Sequence, residues 1–304
     1  MKKESDYWGG EVVKAVSQGI PFSADMRRAE KIYVDRGEGL PQKQAFDPKA
    51  ECIMNGELYE YIFSALSDRA RILVLTCGPG SLSLELARQG HRVTGIDVSH
   101  KVIEVARQFA KENPYTEHFG SLDYQVADLN KIQLGMHKYD FVIVWNGLHH
   151  IMCIDRLFSK VRQALKPEGR FIFSDNIGMQ RRSRLLGGLL YFLLPTTVGY
   201  STKLRYVFGG AKKIKWEMSE RSPFEEVSTD EIPKLARKSF RIVQEKYHTC
   251  IGYRAAIAGD SRIPESLKYP FLRFLKKMDD FAVQNGLFRA HHVLVTAEPK
   301  SFVR

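Results

Sequence analysis

The chain has 304 residues, of which 44% are hydrophobic and 27% are charged, as is ordinary for a globular protein. It contains no internal repeat and no low-complexity tract, which excludes repeat architectures and a largely disordered chain. The formal net charge of +11 leaves nucleic acid, an anionic membrane surface and an acidic substrate open as partners, beside a purely solubilising role.

Targeting segments and cysteine usage give an expected compartment. The opening residues, MKKESDYWGG, carry charge without an apolar region, so we expect no secretory signal peptide. The longest nearly apolar run, 185–195, is too short to span a bilayer. We therefore expect a reduced, cytoplasmic protein without disulfides or a bound metal. Its four scattered cysteines are Cys52, Cys77, Cys153 and Cys250.

The first 55 residues are predicted to form an N-terminal helical arm or lid. Apolar residues at positions 12, 13, 15 and 16 indicate a short helix, and Tyr7 and Trp8 stand just before them. The segment precedes the first core strand, so it either folds over the ligand edge as a lid or packs on the domain surface as an arm. As a lid, it would bring Tyr7 and Trp8 to a substrate.

Residues 71–97 have the layout of a nucleotide-binding βαβ unit. An apolar run predicts a buried strand, the tight turn 77–80 (CGPG) leads into a helical pattern, and a second strand ends on Asp97. Asp97 can accept hydrogen bonds from a ribose diol. Gly78 and Gly80 remove side chains where a ligand approaches the backbone, and the N–H groups of the helix start face it. A plain structural turn is the alternative.

This stretch resembles motif I and its acidic partner in class I S-adenosylmethionine-dependent methyltransferases, usually close to VLDLGCGTG and here ILVLTCGPG. Two positions depart from that pattern: Val74 stands where an acid is common, and Thr76 where the first glycine is common. A dinucleotide site is disfavoured, because Ser83 occupies the third glycine position of G-x-G-x-x-G. The resemblance implies S-adenosylmethionine as cofactor, S-adenosylhomocysteine as product, and contacts from Cys77, Gly78, Gly80, Asp97 and Val98.

A third strand, 122–127, closes on an acid in the same way. In the family pattern this acid receives the exocyclic amine of adenine, so the resemblance implies Asp128 and the adjacent Leu129 as cofactor contacts. A helix or turn cap is the alternative role for Asp128. Before this strand, Ser99 is the expected N-cap of an amphipathic helix.

The fourth and fifth strands extend the resemblance. Residues 139–151, YDFVIVWNGLHHI, are similar to the family's Y-D-L-V-x-x-x-x-L-H-H loop, and 165–175, LKPEGRFIFSD, to its L-K-P-G-G-x-F segment with a turn at 166–169. Across 71–175 the chain is identified as a member of the class I methyltransferases, with the cofactor-binding core expected at 56–176. The resemblance implies an α/β, doubly wound Rossmann-like sheet of seven strands, parallel with one antiparallel strand, and helices on both faces. Its ligands would bind at the carboxyl ends of the strands.

Residues 177–228 are predicted to be a helical cap or substrate insertion after strand five. The apolar run 185–195 has basic residues on both sides, with arginines at positions 181, 182 and 184 before it, and Tyr200 is a candidate substrate contact. Three roles stay open: lining the acceptor pocket, docking through 181–215 to a membrane surface or lipid-tailed substrate, and a dimer contact. The oligomeric state does not follow from the sequence.

The C-terminal part, 229–304, is expected to complete the fold. Residues 228–231 fit a capping box, 240–247 alternate loosely as strand six, and a later helical stripe ends at the Asn-Gly pair 285–286. The last strand, 292–297, is expected to insert antiparallel. The segments SPFEEVSTDEI and IAGD, with the closing helix and strand, resemble a bacterial group of type 11/12-like methyltransferases of unassigned substrate.

Methyl transfer from a sulfonium is an in-line displacement, and a base is needed only where the nucleophile must lose a proton. His149 and His150 are the leading base candidates, because imidazole titrates near neutrality and both follow strand four. Packing on the loop is their alternative role. Asp175, at the end of strand five, is a second candidate as base or substrate anchor, or else it caps the loop. Asn146 is the expected cofactor contact of this edge, and Trp145 the expected substrate contact.

Two functions from different classes remain. One is methyl transfer to an oxygen or nitrogen of a small-molecule acceptor, with sugar-linked and lipid-linked acceptors included. The other is a methyltransferase fold without catalysis, acting as a partner subunit or binding module, which Val74 and Thr76 favour. RNA methylation is a lesser alternative supported by charge alone, since no RNA-binding module and no Asn/Asp-Pro-Pro-aromatic motif appear. A cytoplasmic location, with peripheral membrane contact as an option, fits the first function.

Overall fold

The computed structural model describes nine stretches of the chain, and the statements below concern these residues: 2–17, 32–33, 45–46, 48–114, 116–178, 180–195, 199–204, 231–251 and 263–300. The predicted capping box at 228–231 lies outside them except for its last residue.

Helices and strands alternate through the described chain. The helices are α1 (Lys2–Ser17), α2 (Pro48–Ala65), α3 (Ser81–Arg88), α4 (His100–Lys111), α5 (Ile154–Ala164), α6 (Arg181–Leu193), α7 (Tyr200–Leu204), α8 (Ile232–Ser239) and α9 (Glu265–Gln284). The strands are β1 (Ile32–Tyr33), β2 (Ala45–Phe46), β3 (Arg71–Leu75), β4 (Arg92–Asp97), β5 (Ser121–Val126), β6 (Tyr139–Trp145), β7 (Leu165–Asn176), β8 (Phe240–His248) and β9 (His292–Pro299).

Seven strands form one sheet in the order β5-β4-β3-β6-β7-β9-β8. The neighbours from β5 to β7 pair in parallel, whereas β9 runs antiparallel to both β7 and β8. This confirms the predicted doubly wound sheet with one antiparallel strand. Since order reverses between β3 and β6, the carboxyl edge opens there into the crevice where such sheets bind ligands.

Apolar side chains cover both faces of the sheet, as the continuous hydrophobic runs of its strands require. One buried cluster joins the sheet to α5 and α8, and the other joins it to α2, α3 and α4. Val74 belongs to the second cluster and is 2% exposed. Where the family commonly has an acid, Val74 therefore packs in the core.

Two local expectations need correction. Residues 166–169, expected to form a turn, lie within β7. The register with β6 shifts there: Leu165 and Arg170 are paired, and the four residues between them face a single residue of β6, Asp140. Ser99 does occupy the N-cap position of α4, but its side chain makes no capping bond. Its hydroxyl donates to the carbonyl of Ser5 instead.

Candidate active site

The glycine turn after β3 is held by left-handed backbone at three positions. Thr76, Gly78 and Gly80 have φ angles of +50°, +55° and +87°. A Cβ on Gly80 would lie 2.2 Å from the Tyr124 hydroxyl oxygen, whereas a Cβ on Gly78 would meet nothing within 4 Å. The expectation that both glycines clear space for a ligand is therefore corrected: packing against Tyr124 explains Gly80, and Gly78 faces open space.

Asp97 is fixed beside this turn by backbone donors. The N–H of Gly78 donates to Oδ2 at 3.1 Å, and the N–H of Ser99 donates to Oδ1 at 3.0 Å. Burial raises the pKa of Asp97, while these N–H bonds oppose the shift. A carboxylate has about four lone-pair sites, so a carboxylate held in this way can still accept from a diol. The position fits a ribose contact at the end of β4.

The other predicted cofactor contacts divide between backbone and core. Cys77 is buried, and burial raises the pKa of its thiol well above the ordinary value, so its side chain packs while its backbone forms the turn. Leu129 also packs in the core, and its carbonyl accepts from Lys160 at 3.0 Å. Asp128 Oδ1 accepts from the backbone and side-chain nitrogens of Asn130, both at 2.9 Å. The turn-cap role of Asp128 is thus present, and an amine could meet its Oδ2.

Helix α1 lies across this edge of the sheet. The hydroxyl of Ser5 donates to the carbonyl of Val98 at 3.4 Å, so Val98 contacts the helix through its backbone. The ring of Trp8 meets that of His150 edge-on at 5.3 Å, and Tyr7 meets Trp8 at 5.2 Å. These contacts place α1 beside the start of α4 and the loop after β6, and the lid role of the first 55 residues stays a prediction.

The loop after β6 brings His149 onto Asp175. His149 Nδ1 lies 2.6 Å from Asp175 Oδ1, and the Asp175 side chain is fully buried while that of His149 is 18% exposed. Asp175 also accepts from the N–H groups of Leu148, at 2.6 Å, and Asn176, at 2.8 Å. Because a carboxylate can only accept, Nδ1 carries the hydrogen, and Nε2 is the nitrogen whose lone pair can take a proton.

His150 stands between the two carboxylates. Its ring lies 4.0 Å from that of His149, and its electrostatic interaction with Asp97 is among the influences that lower the Asp97 pKa. Asn146 precedes the pair on left-handed backbone with φ +50° and has an exposed side chain. The two histidines therefore lie near Asp97, and Asn146 begins the loop that carries them.

The turn after β3 and the loop after β6 contact each other at Thr76 and Gly147. A Cβ on Gly147 would lie 1.9 Å from Thr76 Oγ1, so the Thr76 side chain occupies the space that a larger residue at 147 would need. The Thr76 hydroxyl donates to the Leu75 carbonyl at 2.6 Å. Left-handed backbone is unfavourable for a β-branched residue, so Thr76 holds local strain where the family has glycine.

Two predicted substrate contacts do not join this group. Trp145 stacks on Tyr59 of α2, with ring centroids 4.9 Å apart. Tyr200 meets Phe192 edge-on at 5.4 Å, and Lys203 Nζ lies 4.9 Å from its centroid. The described contacts thus place Trp145 against α2 and Tyr200 within the insertion.

His292 is a site neighbour that the sequence analysis did not single out. It pairs with Asn176 at the edge where β9 begins, and its ring stacks on His248 at 5.6 Å. Burial, then the neighbouring His291, lowers the pKa of His292 to about 4, while Asp175 opposes that shift. The available signal was the antiparallel last strand, because such a strand begins at the edge where its neighbours end.

The residues fit a nucleoside-type cofactor at the Gly78 side of the crevice. Gly78 offers an open backbone cradle, Asp97 offers acceptor lone pairs, and α3 begins directly after the turn without a side-chain cap. Within the described ranges, no group of three or more His, Cys, Asp and Glu side chains is arranged to hold a metal ion.

Comparisons with known proteins agree with this geometry. Residues 73–173 match a family model described as a methyltransferase domain. The chain is 27% identical over 123 residues to the ubiquinone biosynthesis O-methyltransferase of Coxiella burnetii, which covers 40% of this chain and 50% of that protein. It is 34% identical over 109 residues to the protein of the same name in Actinobacillus pleuropneumoniae, covering 34% of this chain and 44% of that protein. The chain thus spans about half the length of the curated relatives it matches.

Among solved structures, the [4+2]-cyclase SpnF is similar with a TM-score of 0.54 and 14% identity, covering 97% of this chain and 94% of that chain. This likeness shows a shared fold over nearly the whole chain. Because that neighbour is titled a cyclase, the fold by itself does not fix the reaction.

Proposed function

Because this chain contains a methyltransferase domain of the class I S-adenosylmethionine-dependent family, we propose that it transfers a methyl group to an oxygen or nitrogen atom of a small-molecule acceptor. Oxygen is the favoured atom, since a hydroxyl must lose a proton on methylation and His149 would be the base that takes it. The observation that carries this proposal is the 2.6 Å contact between His149 and the buried Asp175.

S-adenosylmethionine, when bound, would supply an electrophilic methyl group. Gly78 and Asp97 would hold its nucleoside part at the ends of β3 and β4, and Asp128 would meet the base. Helix α1 crosses the same edge through Ser5 and Trp8, so it would limit the access of water to the crevice. Holding both reactants in line is the main contribution that such a site can make to the rate.

His149 would act as the general base. Asp175 accepts from Nδ1, which fixes the tautomer and orients the ring, and it stabilises the imidazolium that forms when Nε2 takes the acceptor's proton. Asp175 is better described as a positioning residue, because its oxygens are already engaged by His149, Leu148 and Asn176. His150, packed on Trp8, would form a wall of the acceptor site.

The curated relatives support an oxygen acceptor, since both are named ubiquinone biosynthesis O-methyltransferases. Their name also favours an acceptor with a lipid tail over a sugar-linked one. Each of these relatives matches 40% of this chain or less. Acceptor recognition would therefore depend on residues of this chain's own insertion, with Tyr200 among them.

A second candidate is a methyltransferase fold that binds without catalysis. One observation favours it: Thr76 replaces the first motif glycine and holds strained backbone at the cradle. Such a protein would act as a partner subunit or binding module. RNA methylation has only the net charge in its support.

Two measurements separate these candidates. Calorimetric titration of cofactor-free protein with S-adenosylmethionine and S-adenosylhomocysteine tests the cradle, and we expect micromolar binding. Transfer of a labelled methyl group to a panel of hydroxyl and amine acceptors, each with and without a lipid tail, tests catalysis. Absence of cofactor binding, or binding without transfer to any acceptor, would favour the non-catalytic function, whereas transfer to one acceptor would contradict it.

A further inference from the structure

Exposed apolar side chains are concentrated on three helices, α6, α7 and α9, which contain neither His149 nor Asp175. Ten of the fifteen large hydrophobic residues exposed in the described chain lie on α6, α7, α9 and the residue 287 that follows α9. Scattered exposed leucines are ordinary, but a cluster of this kind marks an interaction surface. Its members are Leu185, Leu189, Leu193, Tyr200, Leu204, Leu267, Phe274, Met278, Phe281 and Leu287.

Helix α6 is oriented with its leucines outward. Leu185, Leu189 and Leu193 are spaced four residues apart on one face and are 60%, 52% and 63% exposed. The residues buried on the opposite face are the small Ser183 and Gly187. This is the reverse of an ordinary surface helix, which buries its large apolar side chains and exposes its polar ones.

Helix α9 repeats the arrangement with larger side chains. Residues 267, 271, 274, 278 and 281 follow alternating steps of four and three, so they form one stripe along the helix. Leu267, Phe274, Met278 and Phe281 in that stripe are more than half exposed, while the helix buries Leu272 and Leu275 on its inner side.

Both helices lie next to Ile251, which follows β8 at the carboxyl edge of the sheet. The N–H of Ile251 donates to Asp279 of α9 at 2.7 Å, and the carbonyl of Ile251 is the nearest atom, at 3.8 Å, to the position of a Cβ on Gly187 of α6. Residues before α6 and after α9 also meet, since the Arg289 N–H donates to Gln180 at 3.4 Å. Helix α6 begins six residues after Asp175, so this surface adjoins the catalytic dyad.

The charges beside these apolar stripes favour an anionic partner over a second copy of this chain. Exposed basic side chains border the apolar stripes, and α6 contains no acidic residue. On α9, Asp279 is buried, Asp280 pairs with Lys276 at 2.7 Å, and Glu265 in the first turn is exposed. A second copy meeting this surface across a twofold axis would bring like charges together. The exposed basic residues are Arg181, Arg182, Arg184, Arg273, Lys277 and Arg289.

We propose that α6 and α9 form a docking surface for an anionic lipid membrane, with the leucine and phenylalanine side chains in the acyl boundary and the arginines at the headgroups. An interfacial helix of this kind combines an exposed apolar face with adjacent basic residues. Within the part of the chain that the structure describes, no helix is long and apolar enough to cross a membrane. Docking itself does not depend on the proposed methyl transfer; only the delivery of a lipid-tailed acceptor rests on it.

Vesicle flotation tests this surface without any measurement of turnover. The full chain is mixed with vesicles of phosphatidylcholine alone or with phosphatidylglycerol added, and the bound fraction is measured. We expect binding to the anionic vesicles that weakens with salt. Leu185→Ser combined with Leu189→Ser and Leu193→Ser should lower this binding by about tenfold or more. The matched control combines Val13→Ser, Met136→Ser and Met152→Ser, which remove exposed apolar side chains elsewhere and should leave binding unchanged.

A charge variant keeps the inference testable if the serine variant folds poorly. Arg181→Gln, Arg182→Gln and Arg184→Gln together should weaken binding to anionic vesicles, while Lys111→Gln, Lys131→Gln and Lys234→Gln, with the same change in net charge, should have less effect. Absence of vesicle binding, or equal loss in both charge variants, would overturn the proposal. So would a dimer, seen by sedimentation, that the leucine variant converts to monomer, because the occupant would then be a second copy.

Discussion

Two carboxylates stand at the carboxyl edge of the sheet, and their surroundings differ. Asp97, after β4, accepts from the backbone N–H groups of Gly78 and Ser99, whereas Asp175, at the end of β7, accepts from an imidazole as well as from backbone. Backbone donors hold a carboxylate in place without taking part in proton transfer. An imidazole partner can take and release a proton near neutral pH. The difference supports the proposed division, in which the Asp97 half of the crevice would bind the cofactor and the Asp175 half would transfer a proton.

The largest expected effect comes from breaking the dyad. His149→Ala and Asp175→Asn should each lower turnover on the true acceptor about 100-fold or more, and the double variant little further, because the two residues act as a unit. Calorimetry should show S-adenosylmethionine affinity within about twofold of the unmodified protein, since the two side chains lie after β6 and at the end of β7, whereas the cradle is built at β3 and β4. His150→Ala is the matched control and should lose less. Full turnover in both dyad variants would remove His149 as the base.

The contact between the two halves can be tested through Gly147. Gly147→Ala places a Cβ against Thr76 and should lower the free energy of unfolding by about 2 kcal/mol, measured by urea denaturation. Thr76→Gly removes that obstacle and the left-handed strain, so the double variant should recover most of the loss. Gly10→Ala, where a Cβ meets nothing within 4 Å, should be neutral or stabilising. Additive effects at 76 and 147 would contradict the contact.

Cofactor binding in the Asp97 half of the crevice is expected to depend on the Asp97 carboxylate. Asp97→Ala should weaken S-adenosylmethionine binding roughly tenfold or more, about 1.4 kcal/mol, because the ribose loses its acceptor. Titration calorimetry measures this, with Asp123→Ala on the exposed face of β5 as control. If the two variants bind alike, Asp97 does not hold the cofactor.

The free energy of unfolding should also depend on pH, through His248 and His292 on the Asp175 side of the crevice. Burial, then His292, lowers the pKa of His248 to about 3, and His292 is lowered to about 4. Between pH 6.5 and these values the unfolded chain takes up protons that the folded chain does not. The free energy of unfolding should therefore fall as pH drops below 6.5, by at most about 1.4 kcal/mol per pH unit for each histidine.

Urea denaturation at pH 7, 6 and 5 measures this slope. His248→Asn should make it shallower, whereas His118→Gln, whose side chain is 86% exposed, should leave it unchanged. An identical slope in the two variants would show that His248 does not titrate on unfolding.

Local patterns predicted most of the fold. The strand runs and the glycine turn were expected from hydrophobic period and turn chemistry, because such signals depend on neighbours in sequence. The antiparallel direction of the last strand was expected from the resemblance to class I methyltransferases. Residues 166–169 were expected to form a turn. They lie within β7 instead, because β7 pairs with β6 on both sides of them, at Leu165 and at Arg170. Gly80 was assigned to a ligand, but Tyr124 fills the space beside it; that contact joins residues 44 apart.

The sequence by itself determined the sheet, its cofactor edge and the presence of His149, His150 and Asp175 near one another, because parallel strands bring their carboxyl ends to one edge. Only the tertiary structure decided that His149 meets Asp175, that Thr76 occupies the space beside Gly147, and that α6 turns its leucines outward. These outcomes depend on side-chain direction and on the packing of distant segments, which a one-dimensional pattern does not encode.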